Sequence, residues 1–396
     1  MTAPISRAAR PRHSLVVRWL REAAGLRRSS NDTPFPSGLL FYNKTSIAST
    51  KGFSVSATAF PRLAAGLALA AFLLPAGNVW AAQTAYPLRL ENCGHTLTFS
   101  KAPERAVSIG QSTTEILYLL GLADKVAGTA LWVGPVLPEF AAANAKVKRL
   151  ADNDPSFESV VAERPDLVTT QFEWQVGPQG VVATPEQFEE LGIPVYTSPA
   201  DCEGKDNSAG GDGTRTRTFT LDLVYREIED LARIFDREDR GAELVADLKA
   251  REAAAKAKIT NLRPGTSAVF WFSSAELDID PYVAGQSGAP GYIMSRLGVR
   301  NIIDSQEEWP TVGWETIARA DPTVIVAGAM DRRRFPADDV AVKRQFLAED
   351  PVASLMPAVR EGRVVEMDAQ AMNPTIRTID GIEVLADALE KAGLAR

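Results

Sequence analysis

The sequence predicts an α/β protein built as two similar halves on either side of one long helix. Three observations lead there. Short apolar strands alternate with helices in both halves, which is the α/β pattern. Residues 237–260, rich in Ala, Glu and Lys, read as a continuous helix separating the two alternations. Finally, one segment occurs twice: "FESVVAERPDLV" from Phe157 and "WETIARADPTVI" from Trp314 align without gaps. Glu158 then faces Glu315, Ser159 faces Thr316 and Pro165 faces Pro322.

Taken in order, alternating apolar residues around "NCGH" predict a hairpin. "RAVSIG" reads as a buried strand, and "STTEILYLLG" as a helix with Ser/Thr at its start and Gly at its end. "KVAGTAL", "DLVTTQ" and "IPVYTS" are strands; "DPSFESVVAERP" and "TPEQFEELG" are helices. A polar loop, "DCEGKDNSAGGDGTRTRT", precedes the amphipathic helix "FTLDLVYREIEDLARIF" and then the long one, a rigid spacer rather than a flexible linker. The alternation restarts with "SAVFWFS", "GYIMSRLG", "PTVIVAG", "RVVEMD" and a closing helix "IRTIDGIEVLADALEKAG". A second echo strengthens duplication: Gly121 and Gly298 each close a helix, and at the same distance beyond them Trp132 faces Trp309.

A chain of 396 residues suits two domains better than one core. Charge is uneven. Ten basic against two acidic side chains through residue 81 leave −15 on the remainder. So acidic a body argues against nucleic acid as partner. The basic front ends in "LAAGLALAAFLL", a breaker at Pro75 and the small-residue site "VWAA". That order is a secretory signal, with cleavage expected near Ala81–Gln83 and too short an apolar run to span a bilayer. Residues 1–82 are therefore an extension plus signal peptide, and the mature protein is expected in the periplasm. No cysteine sits at the cleavage site for a lipid anchor. In an oxidising compartment Cys93 and Cys202 could pair; two free buried thiols are the alternative.

Several chemistries are missing. There is no phosphate-binding loop and no dinucleotide fingerprint. "GQSGAPG" at 285–291 has a different glycine spacing and reads as a plain loop. One histidine after cleavage, His95, and two separated cysteines cannot make a tetrahedral zinc site, and a His-dependent nucleophile has no partner. No metal site, cofactor or enzyme activity is expected. Ligands of open α/β sheets bind beyond the carboxyl ends of the strands. Gln111, Ser112, Trp132, Phe172, Trp174, Trp271, Trp309 and Arg332, Arg333 and Arg334 fall at or near such ends. Aromatic walls with arginines suit a ligand partly planar or apolar and partly anionic. Each tryptophan taken alone could as well be core, and each arginine merely solvated.

"PERAVSIGQSTTEILYLLGLADKVAG", "DPSFESVVAERPDLV", the long helix and "WETIARADPTVIV" together resemble the periplasmic binding proteins for ferric siderophores and cobalamin, which serve ABC importers. The resemblance covers residues 86–396. It implies two Rossmann-like lobes, at 86–236 and 261–396, bridged by the helix at 237–260, with the ligand in the cleft between them. It also implies that Glu158 and Glu315 sit at the two lobe tips and dock on arginines of an inner-membrane permease dimer. A ferric siderophore is the expected ligand and a monomer the expected state. Cobalamin or haem transport is the alternative; a secreted metal-dependent enzyme or a sensor module on the same fold are rivals from other classes.

Overall fold

A computed structural model describes residues 83–178, 180–208 and 212–396. The expected signal peptide and its cleavage site lie outside the described residues. The chain opens with an antiparallel hairpin, β1 (Leu88–Asn92) and β2 (His95–Phe99). Its turn residues Cys93 and Gly94 both have positive φ, 49° and 83°, as a tight hairpin turn requires. The first lobe then forms a five-stranded parallel sheet from β3 (Ala106–Ile109), β4 (Val126–Ala130), β5 (Lys148–Ala151), β6 (Leu167–Thr170) and β7 (Val195–Thr197). Their spatial order is β5-β4-β3-β6-β7. Strands β3 and β6 are buried at every residue, the signature of a parallel sheet covered on both faces.

A small hairpin, β8 (Lys205–Asp206) with β9 (Thr214–Arg215), follows. The second lobe holds β10 (Ser267–Ser273), β11 (Tyr282–Val283), β12 (Arg300–Asn301), β13 (Val324–Ala329) and β14 (Val364–Asp368). Strands β10, β13 and β14 run parallel, β12 pairs parallel with β10, and β11 is an antiparallel edge.

Between the lobes runs the helix Glu238–Lys258. It is more than a spacer. Leu244, Val245, Leu248 and Ala255 are buried in a core cluster that draws residues from both lobes. Its Arg251 pairs with Asp380 and Glu383 of the closing helix Thr378–Lys391. Its Glu252 accepts hydrogen bonds from Tyr292 at 2.8 Å and Tyr225 at 3.4 Å, one from each side.

The internal echo is structural. The helices Phe157–Val161 and Trp314–Ala320 are each followed by a residue forced to positive φ, Arg164 at 51° and Asp321 at 46°. Each is followed by Pro165 or Pro322, then by a buried strand, β6 or β13. A proline after a left-handed residue stops the helix and sends the chain back into the sheet.

Cys93 and Cys202 form a disulfide that closes a loop of 109 residues between the opening hairpin and the turn after β7. Asn92 reinforces the same junction, donating to the Thr197 carbonyl at 2.7 Å and accepting from the Thr197 amide at 2.8 Å. Replacing both cysteines with serine is expected to lower unfolding free energy by about 5 kcal/mol, the chain-entropy value for a loop of that order. Urea titration of the oxidised protein and the double variant would measure it, and coincident curves would contradict it.

Candidate functional site

Where the carboxyl ends of the two sheets face each other they enclose a cleft of about 530 Å³. In the first lobe the carboxyl ends of β4, β5 and β6 deliver side chains to it. Leu131 and Val133 follow β4, Asp154 follows β5, and Phe172 and Trp174 follow β6. From the second lobe come Phe272 and Ser273 at the end of β10, Tyr282 of β11, Trp309, and Arg332, Arg334 and Phe335 beyond β13. The aromatics work in pairs. Phe172 stacks on Trp174 with centroids 5.7 Å apart, and Phe272 meets Trp309 at 4.6 Å. Tyr282 lies 6.1 Å from Phe335.

The arginine turn is built, not loose. Asp338, fully buried, accepts from the amides of Arg334 and Phe335 at 2.7 and 3.0 Å and from the Ser273 hydroxyl at 2.6 Å. The amides of Asp331 and Arg332 both donate to the Val133 carbonyl, each at 3.0 Å, so the turn is tied to the opposite lobe through backbone. Burial pushes the Arg332 guanidinium down from its ordinary value, with Asp338 opposing. Burial likewise raises the Asp154 carboxyl, against the pull of Gln175, Arg334 and Arg332. Arginines were expected in the cleft to meet a partly anionic ligand. The cleft's charged lining is balanced: Arg332 and Arg334 against Asp154 and Asp212.

Trp174, Trp309, Arg332 and Arg334 therefore line the cleft as expected residues. Five others do not. Trp271 is buried against Trp314 and Phe346, and its indole N–H donates to Ser273 O and Ser274 Oγ. Side chains alternate along a strand, so Phe272, one residue on, takes the cleft position. Trp132 fails for another reason: β4 has ended and Leu131 takes a left-handed φ of 58°, which leaves Trp132 4% exposed under the Arg149 guanidinium while Leu131 and Val133 face the cleft. Gln111 is fully buried; its Oε1 accepts from the amides of Val133 and Gly134 and its Nε2 donates to Pro135 O at 2.9 Å. It shapes the loop that lines the cleft rather than lining it. Ser112 is buried, its amide held by Gln171 Oε1 at 3.0 Å. Arg333 turns onto the carbonyls of Met330 and Arg332. Glu158 is exposed and Glu315 half-buried in the first turns of the two echoed helices. A larger hollow, about 630 Å³, lies between the opening hairpin and residues 173–197 of the first lobe alone, away from where the lobes meet.

With that geometry in place, a periplasmic binding protein family profile matches residues 107–371. The chain belongs to the periplasmic binding protein family. It is 25% identical over 308 residues to the uncharacterized ABC transporter substrate-binding lipoprotein YvrC of Bacillus subtilis, covering 77% of this chain and 86% of that one. It is 23% identical over 299 residues to the vitamin B12-binding protein of Vibrio parahaemolyticus, covering 74% and 93%. Among solved structures it is similar to an ABC-type Fe3+-hydroxamate transport system protein from Saccharomonospora viridis: 27% identity, TM-score 0.62, 77% of this chain and 99% of that one.

In this periplasmic binding protein one buried cation supports the cleft wall. Lys343, fully buried, donates to Phe272 O at 2.6 Å and Gly328 O at 2.5 Å. The β10–β13 ladder ends one residue earlier, at Trp271 and Ala327. The amine thus bridges the two carbonyls where the strands part. Burial pushes its pKa down to about 7, with Asp338 opposing. Between pH 7 and 10 the unfolded chain then binds more protons at this lysine than the folded one. Folding stability relative to Lys343→Met should therefore rise with pH across that window, by at most about 1.4 kcal/mol per pH unit. Urea unfolding of both proteins at four pH values tests this; a flat difference would refute it.

The two classes of tryptophan separate in a second experiment. Trp271→Ala should cost about 3–5 kcal/mol of stability as a large core truncation. Trp174→Ala and Trp309→Ala should instead weaken ligand binding by about 1–3 kcal/mol, as truncated anchors do. Thermal melts and fluorescence titrations of the three variants give the comparison.

Proposed function

We propose that the protein captures a ferric siderophore outside the cytoplasm and delivers it to an ABC permease. The coarse part, a substrate-binding component of an ABC importer, follows from family membership. The ligand rests on the cleft itself: three aromatic pairs with two arginines, at a volume within the usual range for small-molecule sites. Iron would arrive already chelated, and no group of His, Cys, Asp or Glu able to hold a bare ion occurs among the described residues. The 27%-identical Fe3+-hydroxamate transport protein supports the same choice. A second reading, cobalamin, is favoured by the vitamin B12-binding relative and by the same aromatic walls. Titration of tryptophan emission with ferrioxamine B and with cyanocobalamin separates them, and quenching by cyanocobalamin alone would reverse the choice. No catalysis is proposed, and the protein is read as a periplasmic monomer.

Glu158 and Glu315 are proposed as the docking residues. They occupy the same position in two repeated units, one in each lobe, and both lie outside the cleft lining. Charge-assisted pairs with permease arginines would form only in the complex. Glu158→Ala and Glu315→Ala should keep ligand affinity while transport falls, the double variant more than either single. If desolvated in the complex, such pairs cost about 2–5 kcal/mol when one partner is removed. Uptake assays beside melting curves decide it. Earlier melting with normal transport would assign the glutamates to helix-dipole stabilisation alone.

A further inference from the structure

We propose that Asp154 selects the ligand: it receives an N–H or O–H donor of the bound chelate and turns away chelates carrying several negative charges. This rests on the siderophore reading of the cleft. The first observation is an unpaired atom. Asp154 Oδ1 is buried in the cleft lining with no hydrogen-bond partner among the described residues. A buried carboxylate oxygen without a donor is costly, and sites built for a ligand's N–H or O–H leave such an atom unpaired until the ligand arrives. Gln175, whose buried Nε2 is likewise without a partner, pulls on this carboxyl from the protein side; Arg332 and Arg334 favour its charge through space without donating to Oδ1.

The second observation is the charge balance. The two arginines of the lining are matched by two carboxylates, Asp154 inside and Asp212 at the exposed rim. A site selecting a trianionic ferric tris-catecholate would carry an excess of cations. Here such a ligand would meet two like charges, and like charges across a binding surface are the usual device for rejecting a competitor. The aromatic pairs are indifferent to ligand charge. A ferric tris-hydroxamate suits all three features: its iron centre is neutral, its methylene arms lie on rings, and its amide or ammonium groups supply the donor.

The test uses the mature protein and two probes, ferrioxamine B, with a pendant ammonium, and ferric enterobactin, a trianion. Affinities come from quenching of tryptophan emission. The wild type is expected to bind ferrioxamine B at least about tenfold more tightly, and Asp154→Asn to shrink that ratio by about tenfold or more, one such step being about 1.4 kcal/mol. Melting temperature checks folding, and Asp154→Ser goes through the same titration should the asparagine variant fail to fold. Tighter binding of enterobactin by the wild type, or a ratio unmoved in the folded variant, overturns the inference and leaves the siderophore reading standing. If neither iron chelate binds, the siderophore reading falls and the inference with it.

Discussion

A buried ion pair holds the two lobes in register. Glu115, on the first helix of the first lobe, accepts from Arg377 of the second at 2.9 Å through Nε, with a second bond from Nη2 to its other oxygen. Both residues are buried. Burial works against both charges: Glu115 and Asp368 more than offset it for the guanidinium, while for the Glu115 carboxyl burial outweighs Arg377 and raises it. Taking two charges out of water costs several kcal/mol each, and only well-made extra bonds repay it. Here they are present. Arg377 also reaches Asp368 at 2.7 Å and Pro135 O at 2.8 Å, while Glu115 Oε1 accepts from the Leu137 amide and from Gln111. An apolar pair could bind the lobes as tightly; it could not fix the direction of the 131–137 loop as this network does. The cleft walls at Leu131 and Val133 depend on that direction. A second buried pair, Arg215 with Glu308, brackets the other side, immediately beside Trp309.

The cleft is therefore framed by polar contacts between lobes, with a core continuous through the long helix. Asp331 and Arg332 are tied across to Val133 through backbone. Preorganisation of this kind lowers the ordering cost of binding. It also explains why a buried lysine is tolerated at the parting of β10 and β13. Lys343 answers two carbonyls that the opening of the cleft would leave without partners.

What could be read from the sequence follows the range of the signal. Strand and helix alternation is local, and both sheets and the linking helix were legible, "SAVFWFS" to the residue. The edge strand β5, "KRLA", carries two charged residues in four and has no apolar run to announce it. The helix Val340–Glu349 hid because its buried stripe is Lys343 and Leu347, and a lysine at a core position erases the apolar period. In the cleft the tryptophan errors were of facing, set by alternation along β10 and by the left-handed Leu131 just after β4. Choosing tryptophans at strand ends found the right turns at β4 and β10 but the wrong face of each. Phe272 could have been found by counting outward from the buried face of the strand. Glu115 and Arg377 stand 262 residues apart, and no local pattern connects them.

The repeated segment shows where fold ends and function starts. Most of it is accounted for by folding. The first residue packs as an aromatic, Phe157 against Phe188 at 5.1 Å and Trp314 against Trp271 at 4.8 Å. The residue before each proline takes the left-handed turn, and the apolar tail becomes the strand. The glutamate in second place lies in the first turn of both helices. Helix starts can be stabilised by a capping side chain or by a first-turn acid, and the two units use different caps. Ser156 caps the first helix through its side chain, accepting from the Ser159 amide at 3.2 Å; Gly313 begins the second with no side-chain cap. Local stabilisation was thus free to diverge and did. The acid stayed in both lobes, in a helix of five residues and in one of seven. The docking proposed above would place the same acid on both lobes, whereas helix-dipole stabilisation alone would not need it at the same place in each.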